Sequence, residues 1–517
     1  MSWSGLAVWS IIEKWTGPLS GACGRMGKKE SFQDLSLMPA KPGEELWHWL
    51  YGELRAAILD RRLKPGSRMP SSRNLASQYQ VSRGTVVAAF DHLKSEGYIQ
   101  MQVGAGAFVA TPLPDDCTVL AQGGAAMPKR PSRAALSSRG RASVQNIQLL
   151  PASYSLGKAF RSYEPAIDLF PTTLWARIAG RVLRRAPRSL YGQGDARGYL
   201  PLRKAIAEYV GGARGVRCSA DQVIVTSGAQ QGLDLVSRLL LDLGDTAWVE
   251  DPGYPGSAFA LKAAGAKLEA IPADQNGLDV DWGKQHAPHA KLAYVTPANQ
   301  FPLGVSMPLE RRLPLLEWAA QKGAWIVEDD YDAEYRYSGR PLAALQSLDR
   351  AECVVYLGTF TKMLFNALRL GFLILPPRLV EPFAAARSFT DRHPATLDQA
   401  ILAEFMLEGH FGHHVRRMRQ IYAERLGVLV EAANCHLSGA LDVVSAVAGM
   451  RTLGWLHAEE KDMAVAARAR SQGLELAALS QFTLRHSQRP ALIIGFAGCT
   501  PAELRRGVDI LANVLEV

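Results

Sequence analysis

A chain of 517 residues with 48% hydrophobic and 21% charged residues is ordinary for a soluble globular protein and long enough for two or three domains with a large core. Its net charge of +9 permits nucleic-acid binding without requiring it. The six cysteines (Cys23, Cys117, Cys218, Cys353, Cys435, Cys499) form no CxxC pair, which argues against a zinc site or disulfide framework and fits a reducing cytosol, and no apolar run is long enough to span a membrane.

The first residues, MSWSGLAVWSIIEKW, are apolar but lack a basic flank, and Glu13 and Lys14 interrupt them, so a signal peptide is not expected. A short amphipathic helix, a disordered tail and a stretch outside the native coding sequence (with Met26 as the start) stay open; residues 1–40 are expected to be a disordered extension.

From residue 44 the pattern becomes helical. Leu46, Leu50, Leu54 and Ile58 recur at helix spacing until Lys64-Pro65-Gly66 turns the chain. Ser71-Ser72 caps a second helix to Gln78, and Ser82 caps a third, RGTVVAAFDHLKSEG, stopped by Gly97. Two short strands, Tyr98 to Val103 and Ala107 to Ala110, join through Gly104-Ala105-Gly106. Three short helices and a hairpin make a winged helix-turn-helix over residues 41–111. The third helix presents Arg83 with the hydroxyls of Ser82 and Thr85 at the end that enters a major groove. Arg68, Ser71 and Arg73 suit backbone phosphates, and the wing tip, Gly104 and Gly106, suits a groove edge. The string LKPGSRMPSSRNLASQYQVSRGTVVAAFDHLKSEGYI resembles the GntR DNA-binding domain, although the wing reads GAGAFV where that family usually has a hydroxyl.

Residues 112–165, punctuated by Pro112, Pro114, Pro128, Pro131 and Pro151 and rich in Ser, Ala, Gly and Arg, read as a flexible basic tether. From Ile167 onward strands and helices alternate. VIVTSG (Val223 to Gly228) runs into a helix whose first amides make an anion site, or an ordinary βαβ turn. AWIVEDDY (Ala324 to Tyr331) is a buried strand ending in acids, in the usual crevice of an open α/β sheet. The apolar run from Cys353 to Leu357 is expected to break at Gly358, before Thr359, Thr361 and Lys362; a second begins at Gly371, after Arg369. Burial would lower the lysine's pKa and free its amine as a nucleophile, whereas a lysine reaching the surface fits this stretch equally well. His410, His413 and His414 share a helical stretch without acids or cysteines to complete a metal site, and none is expected.

The segment from about Ile167 to Val517 resembles the aspartate-aminotransferase fold (fold type I, dependent on pyridoxal phosphate), most of all the version in MocR-type regulators of the GntR family. The matching strings are YGQGDARGYLPLR, VIVTSGAQQGLDL, WVEDPGYPG, VTPANQFPLGVSMPLERR, EDDYDAEYRY and GTFTKMLFNALRLGF. The resemblance implies an α/β aminotransferase-like domain over residues 166–517, with Lys362 carrying pyridoxal 5'-phosphate as a Schiff base and Asp329 holding the ring nitrogen. It places Tyr254 against the ring, Asn299, Gln300 and Tyr331 near the phenolic oxygen, and Ser227, Gly228, Ala229, Gln230, Thr359, Thr361 and Arg369 around the phosphate. Asp330 and Asp332 are expected to be supporting residues.

The chain departs from the pattern at Ala298-Asn299, where a Ser-His pair is common, and at Gln193, where a tyrosine that reaches a neighbouring subunit is frequent. It departs again near Ile493, where aminotransferases carry an arginine for the substrate carboxylate; Arg485 and Arg489 stand close by in sequence. The resemblance thus implies a cytoplasmic, homodimeric transcription regulator that binds a double-stranded DNA operator and senses an amine or amino acid. A working aminotransferase with a DNA-binding head is the alternative, and sensing of pyridoxal phosphate itself is a third reading.

Overall fold

The computed structural model describes residues 35–41, 43–102, 104–114, 136–137, 140–141, 159–339, 342–457 and 460–516. The chain forms two compact units that divide between Ala134 and Ala135.

The smaller unit holds α1 (Leu46–Leu59), α2 (Ser72–Gln78), α3 (Arg83–Ser95) and the hairpin of β1 (Ile99–Gln102) and β2 (Gly106–Val109). Ser71 and Ser82 are extended residues whose hydroxyls accept the Asn74 and Thr85 amides at 3.2 and 3.0 Å, starting α2 and α3. Leu50, Leu54, Ala57 and Ile58 of α1 close on Val86, Ala89 and Leu93 of α3. The expected stripe is corrected at its first member. Leu46 is 48% exposed and Trp49 is buried in its place, because steps of four residues drift about 40° each around a helix. The boundary at 40/41 also moves. Leu35 is buried in this core, Met38 O accepts Trp49 Nε1 at 2.8 Å and Ser36 O accepts Arg62 at 2.9 Å. The remainder of the expected extension, residues 1–34, lies outside the described residues.

The larger unit is built on an eight-stranded sheet in the order β3-β10-β9-β8-β7-β4-β5-β6. Its strands are β3 (Val223–Thr226), β4 (Thr246–Asp251), β5 (Lys267–Asp274), β6 (Gly277–Leu278), β7 (Leu292–Val295), β8 (Trp325–Asp330), β9 (Val354–Thr359) and β10 (Gly371–Ile374). Strand β10 runs antiparallel to both neighbours, β6 runs antiparallel to β5, and the other pairings are parallel. Every residue of β3, β7, β9 and β10 is buried, as strands covered on both faces require, and their sequences are accordingly near-continuous apolar runs. Beyond the sheet, β11 (Leu441–Val443), β12 (Arg451–Leu456), β13 (Ala477–Ala478) and β14 (Ala491–Gly495) form an antiparallel sheet in the order β11-β12-β14-β13.

Two expectations are corrected here. Strand β9 does not break at Gly358 but runs through it, paired with Phe372 on one side and Asp330 on the other; the residue is glycine because a Cβ there would meet the Phe372 ring at 2.3 Å. The tether expected over 112–165 falls largely outside the described residues, and its end is folded. Phe160 is fully buried in the core of the larger unit and its carbonyl accepts the Gly495 amide at 3.0 Å.

Candidate functional site

The parallel strands β3, β4, β7, β8 and β9 end along one edge of the sheet, and the segments after them carry Ser227, Tyr254, Asn299, Tyr331 and Lys362. This shared edge is what collects residues scattered along the sequence.

Lys362 lies three residues beyond β9. Its half-buried side chain donates from Nζ to Tyr163 O at 3.1 Å and lies 5.1 Å from the Tyr163 ring centroid. Burial pushes the ammonium down to about 8; the Asp332 carboxylate opposes that shift, and the Arg451 and Arg369 guanidiniums add to it. Asp329, near the end of β8, is buried with Oδ2 accepting the Tyr294 hydroxyl at 2.6 Å, while Oδ1 has no partner. Burial pushes this carboxyl up to about 7 against the opposing Tyr294 bond, with Asp330 and Asp332 adding to the rise. Asp330 faces away from this group. It takes Arg214 at 2.7 Å and the Tyr356 hydroxyl at 2.6 Å, which ties the helix of residues 200–214 to the sheet.

An anion cradle sits at the end of β3. Gly228 has φ +92°, and a Cβ there would stand 2.9 Å from Arg369 Nη2, so only glycine lets the guanidinium close on this turn. Arg369 donates to Ser227 O at 3.1 Å, and the helix of residues 229–240 begins directly behind with Ala229 and Gln230. Thr359 and Thr361 are buried across from them; the Thr361 amide donates to Thr359 Oγ1 at 3.2 Å, and Thr361 Oγ1 has no partner. Gln230 donates to Gly256 O at 2.9 Å and accepts the Tyr254 hydroxyl at 3.4 Å, which fixes the Tyr254 ring.

On the opposite side Tyr331 donates to Asn299 O at 2.8 Å and Asn299 Nδ2 donates to Asp332 at 2.7 Å, leaving Asn299 Oδ1 without a partner. Gln300 is buried and turns away, donating to Pro252 O and Phe301 O. The sequence reading missed two residues here. Tyr163 lies in a stretch read as tether, where no periodicity marked it. Arg451 opens a strand that is otherwise apolar, and that lone charge in RTLGWL was the available signal. Neither arginine named near Ile493 reaches the site. Arg485 pairs with Glu269 at 2.9 Å, Arg489 donates to Leu456 O, and Ile493 is buried in β14 opposite Leu453. His414 points inward, its Nε2 3.1 Å from Met363 O, while His410 pairs with Glu408.

In the smaller unit Arg68, Ser71, Arg73, Ser82, Arg83 and Gly104 are exposed. Thr85 is half-buried with its hydroxyl 2.8 Å from Ser82 Oγ, and Gly106 is half-buried beside the Arg68 guanidinium. Arg83 occupies the first position of α3, directly after the Ser82 cap. Among the described residues no helix is long and apolar enough to cross a membrane.

Residues 49–109 match the family model for bacterial regulatory proteins, gntR family, and residues 169–511 match that for aminotransferase class I and II. The chain is 40% identical to the probable rhizopine catabolism regulatory protein MocR of Rhizobium meliloti over 90% of this chain and 92% of that protein. It is 30% identical to the HTH-type transcriptional regulator TauR of Rhodobacter capsulatus, over 93% of this chain and 98% of that one. Among solved structures it is similar to LysN, the α-aminoadipate aminotransferase of Thermus thermophilus complexed with N-(5'-phosphopyridoxyl)-L-leucine. That match has TM-score 0.64 and 27% identity, and covers 69% of this chain and 91% of that one. The aminotransferase match alone covers only the larger unit, while the two regulators match across both, so the chain belongs to the MocR-type transcriptional regulators of the GntR family, a gntR-type DNA-binding unit joined to an aminotransferase-like one.

Proposed function

We propose that the larger unit holds pyridoxal phosphate on Lys362 and reads an amine or amino acid there, and that the winged unit carries the outcome to a double-stranded DNA operator. The chain would work as a cytoplasmic homodimer, two heads suiting paired half-sites. The observation that carries the reading is a set of polar atoms around one lysine that the protein itself leaves unsatisfied. Asp329 Oδ1, Thr361 Oγ1 and Asn299 Oδ1 are buried and have no partner. Buried polar atoms are nearly always paired, so three in one site suit a polar guest.

Those atoms fit the cofactor's parts. Asp329 Oδ1 offers an acceptor to a protonated ring nitrogen, and a cation there favours the ionised acid that burial alone disfavours. Gly228, Thr361 and Arg369 would offer a phosphate a helix start, a hydroxyl and a guanidinium. Tyr331 and Asn299 supply hydrogen-bonding groups on the other side, and Tyr254 a flat ring. When bound, pyridoxal phosphate supplies an aldehyde that condenses with amines and a ring that accepts electrons. Lys362, with its amine pushed down to about 8, presents a usable neutral fraction near neutral pH. Lys362 would hold the group through its amine and, when not so engaged, would be available to hold or move a proton.

The test is the visible spectrum of the cofactor-loaded full chain, titrated with amines and amino acids while operator binding is followed. Lys362→Ala is expected to remove the covalent cofactor band and the borohydride-reducible link while the chain stays folded. A band retained in that variant overturns the lysine assignment. A ligand that shifts the band, holds it there and changes operator affinity supports the regulator. Steady conversion of the cofactor to its pyridoxamine form would mark the working aminotransferase instead.

A further inference from the structure

We propose that residues 160–164 form a strap that Lys362 holds shut: while its amine is free the lysine closes the strap by donating to the carbonyl of Tyr163, and covalent engagement of Lys362 by pyridoxal phosphate releases it. The inference rests on the reading of Lys362 given above and adds how the state of that lysine is passed to the chain around it.

The strap is anchored at both ends. Phe160 is fully buried; its amide donates to Cys499 Sγ at 3.4 Å and its carbonyl accepts the Gly495 amide at 3.0 Å. At the far end the Ala166 amide donates to the Tyr422 hydroxyl at 3.0 Å. Between these anchors the backbone lies on a floor of glycines. A Cβ at Gly495 would meet Arg161 O at 2.0 Å, and one at Gly498 would meet Glu164 O at 2.9 Å. Arg161 pairs with Glu475 at 2.6 Å. Lys362 Nζ donates to Tyr163 O at 3.1 Å and lies 5.1 Å from the centroid of the Tyr163 ring, which packs 5.5 Å from that of Phe301.

The closed strap is held against its own preferences. Phe160 and Tyr163 have φ +69° and +76°, a left-handed conformation that disfavours residues with bulky side chains. The Ser162 and Tyr163 hydroxyls are enclosed and have no partner. A segment with two strained residues and two unpaired hydroxyls needs outside contacts to stay in place, and a hydrogen bond from an ammonium is among the stronger ones. To bond the cofactor, Lys362 gives one proton to solvent; its nitrogen joins the aldehyde carbon, and the aldehyde oxygen leaves as water with the other two protons. The three N–H donors of the ammonium are thereby used, and Tyr163 O loses its partner. The strap then relaxes away from the glycine floor. In sequence it follows directly on the stretch that joins the winged unit to the larger one, so the release falls at the root of that connection.

Trypsin cleavage after Arg161 reads the strap, because a protease reaches that bond only when the segment leaves its seat. The full chain is digested under native conditions, and the fragment that begins at Ser162 is followed by mass spectrometry. Loading wild type with pyridoxal phosphate is expected to raise the initial rate of this cleavage about tenfold or more. Pyridoxamine phosphate, which has no aldehyde, should leave the rate unchanged; neither arm needs a variant to fold. Lys362→Ala should be cleaved at the loaded rate with or without pyridoxal phosphate. Lys362→Arg keeps a donor for Tyr163 O and forms no such bond, so it should stay slow in both conditions. Cleavage after the buried Arg425, followed in the same digests, should not change and marks an intact fold. Equal rates for wild type before and after loading, the same rise with pyridoxamine phosphate, Lys362→Ala as slow as unloaded wild type, or Lys362→Arg as fast as Lys362→Ala would each overturn the inference. Absence of the cofactor band from loaded wild type would instead be a failure of the Lys362 reading.

Discussion

Replacing Asp329 by Asn tests the electrostatics of the site in the protein without cofactor. Asp329 is 5% exposed, keeps one hydrogen bond from Tyr294 and is pushed from 3.8 to about 7 by burial, with Asp330 and Asp332 adding to the rise. A carboxyl whose pKa is raised on folding contributes stability below its unfolded pKa, and that contribution is lost as pH rises through the folded value. Each pH step between the two values is worth about 1.4 kcal/mol, so the raised carboxyl costs the folded state about 1.5 kcal/mol at pH 5, where it stays protonated, and about 4 kcal/mol at pH 8, where it is ionised. Asn keeps the acceptor for Tyr294 and carries no charge. Cofactor-free Asp329→Asn is therefore expected to be more stable than wild type at pH 8, with the gap shrinking to less than half at pH 5. The assay is urea unfolding of the larger unit at both pH values. The same substitution removes the anion that would face a protonated ring nitrogen, so pyridoxal phosphate affinity should fall about tenfold or more. A stability gap independent of pH, or none at either pH, would refute the idea that this carboxylate is held in a hostile pocket awaiting a cation.

Lys362, with its amine near 8, should capture pyridoxal phosphate about tenfold faster at pH 9 than at pH 7 and then level off; a rate still climbing past pH 10 would mean an ordinary lysine. Gly228→Ala forces a side chain to φ +92° and sets a Cβ 2.9 Å from Arg369, so a loss of about 1–3 kcal/mol in unfolding free energy and weaker cofactor binding are expected. Unchanged values of both would remove Gly228 from the cradle. Arg83→Ala, at the exposed start of α3, should weaken operator binding by about tenfold or more in a gel-shift titration without altering cofactor content. An unchanged operator affinity would take this helix end out of the groove.

Much of the candidate site was legible because the positions of its residues are set by local rules. A strand that ends in a turn projects the next few residues from the sheet edge, so AWIVEDDY and YLGTFTK located Asp329, Thr361 and Lys362 without knowledge of the neighbouring strands. The serine caps of α2 and α3 were visible for the same reason, since a cap concerns residues three apart. Two boundaries were not legible. Leu35 and Phe160 lie in stretches without periodicity, and each is buried by surfaces distant in sequence.

The sequence by itself determined the order of elements, the lysine, the acid that ends its neighbouring strand and the glycine turn, because those depend on spacing and chain direction. Only the tertiary structure decided what surrounds the lysine. Lys362 and Arg451, far apart in sequence, share the ring of Tyr163, and the candidate arginines near Ile493 turn elsewhere, to Glu269 and Leu456. The register of β12 against β14 sets Arg451 opposite Gly495 and Leu453 opposite Ile493. Side chains alternate across a strand, so pairing between distant segments, which no local pattern encodes, decides which charge enters the site.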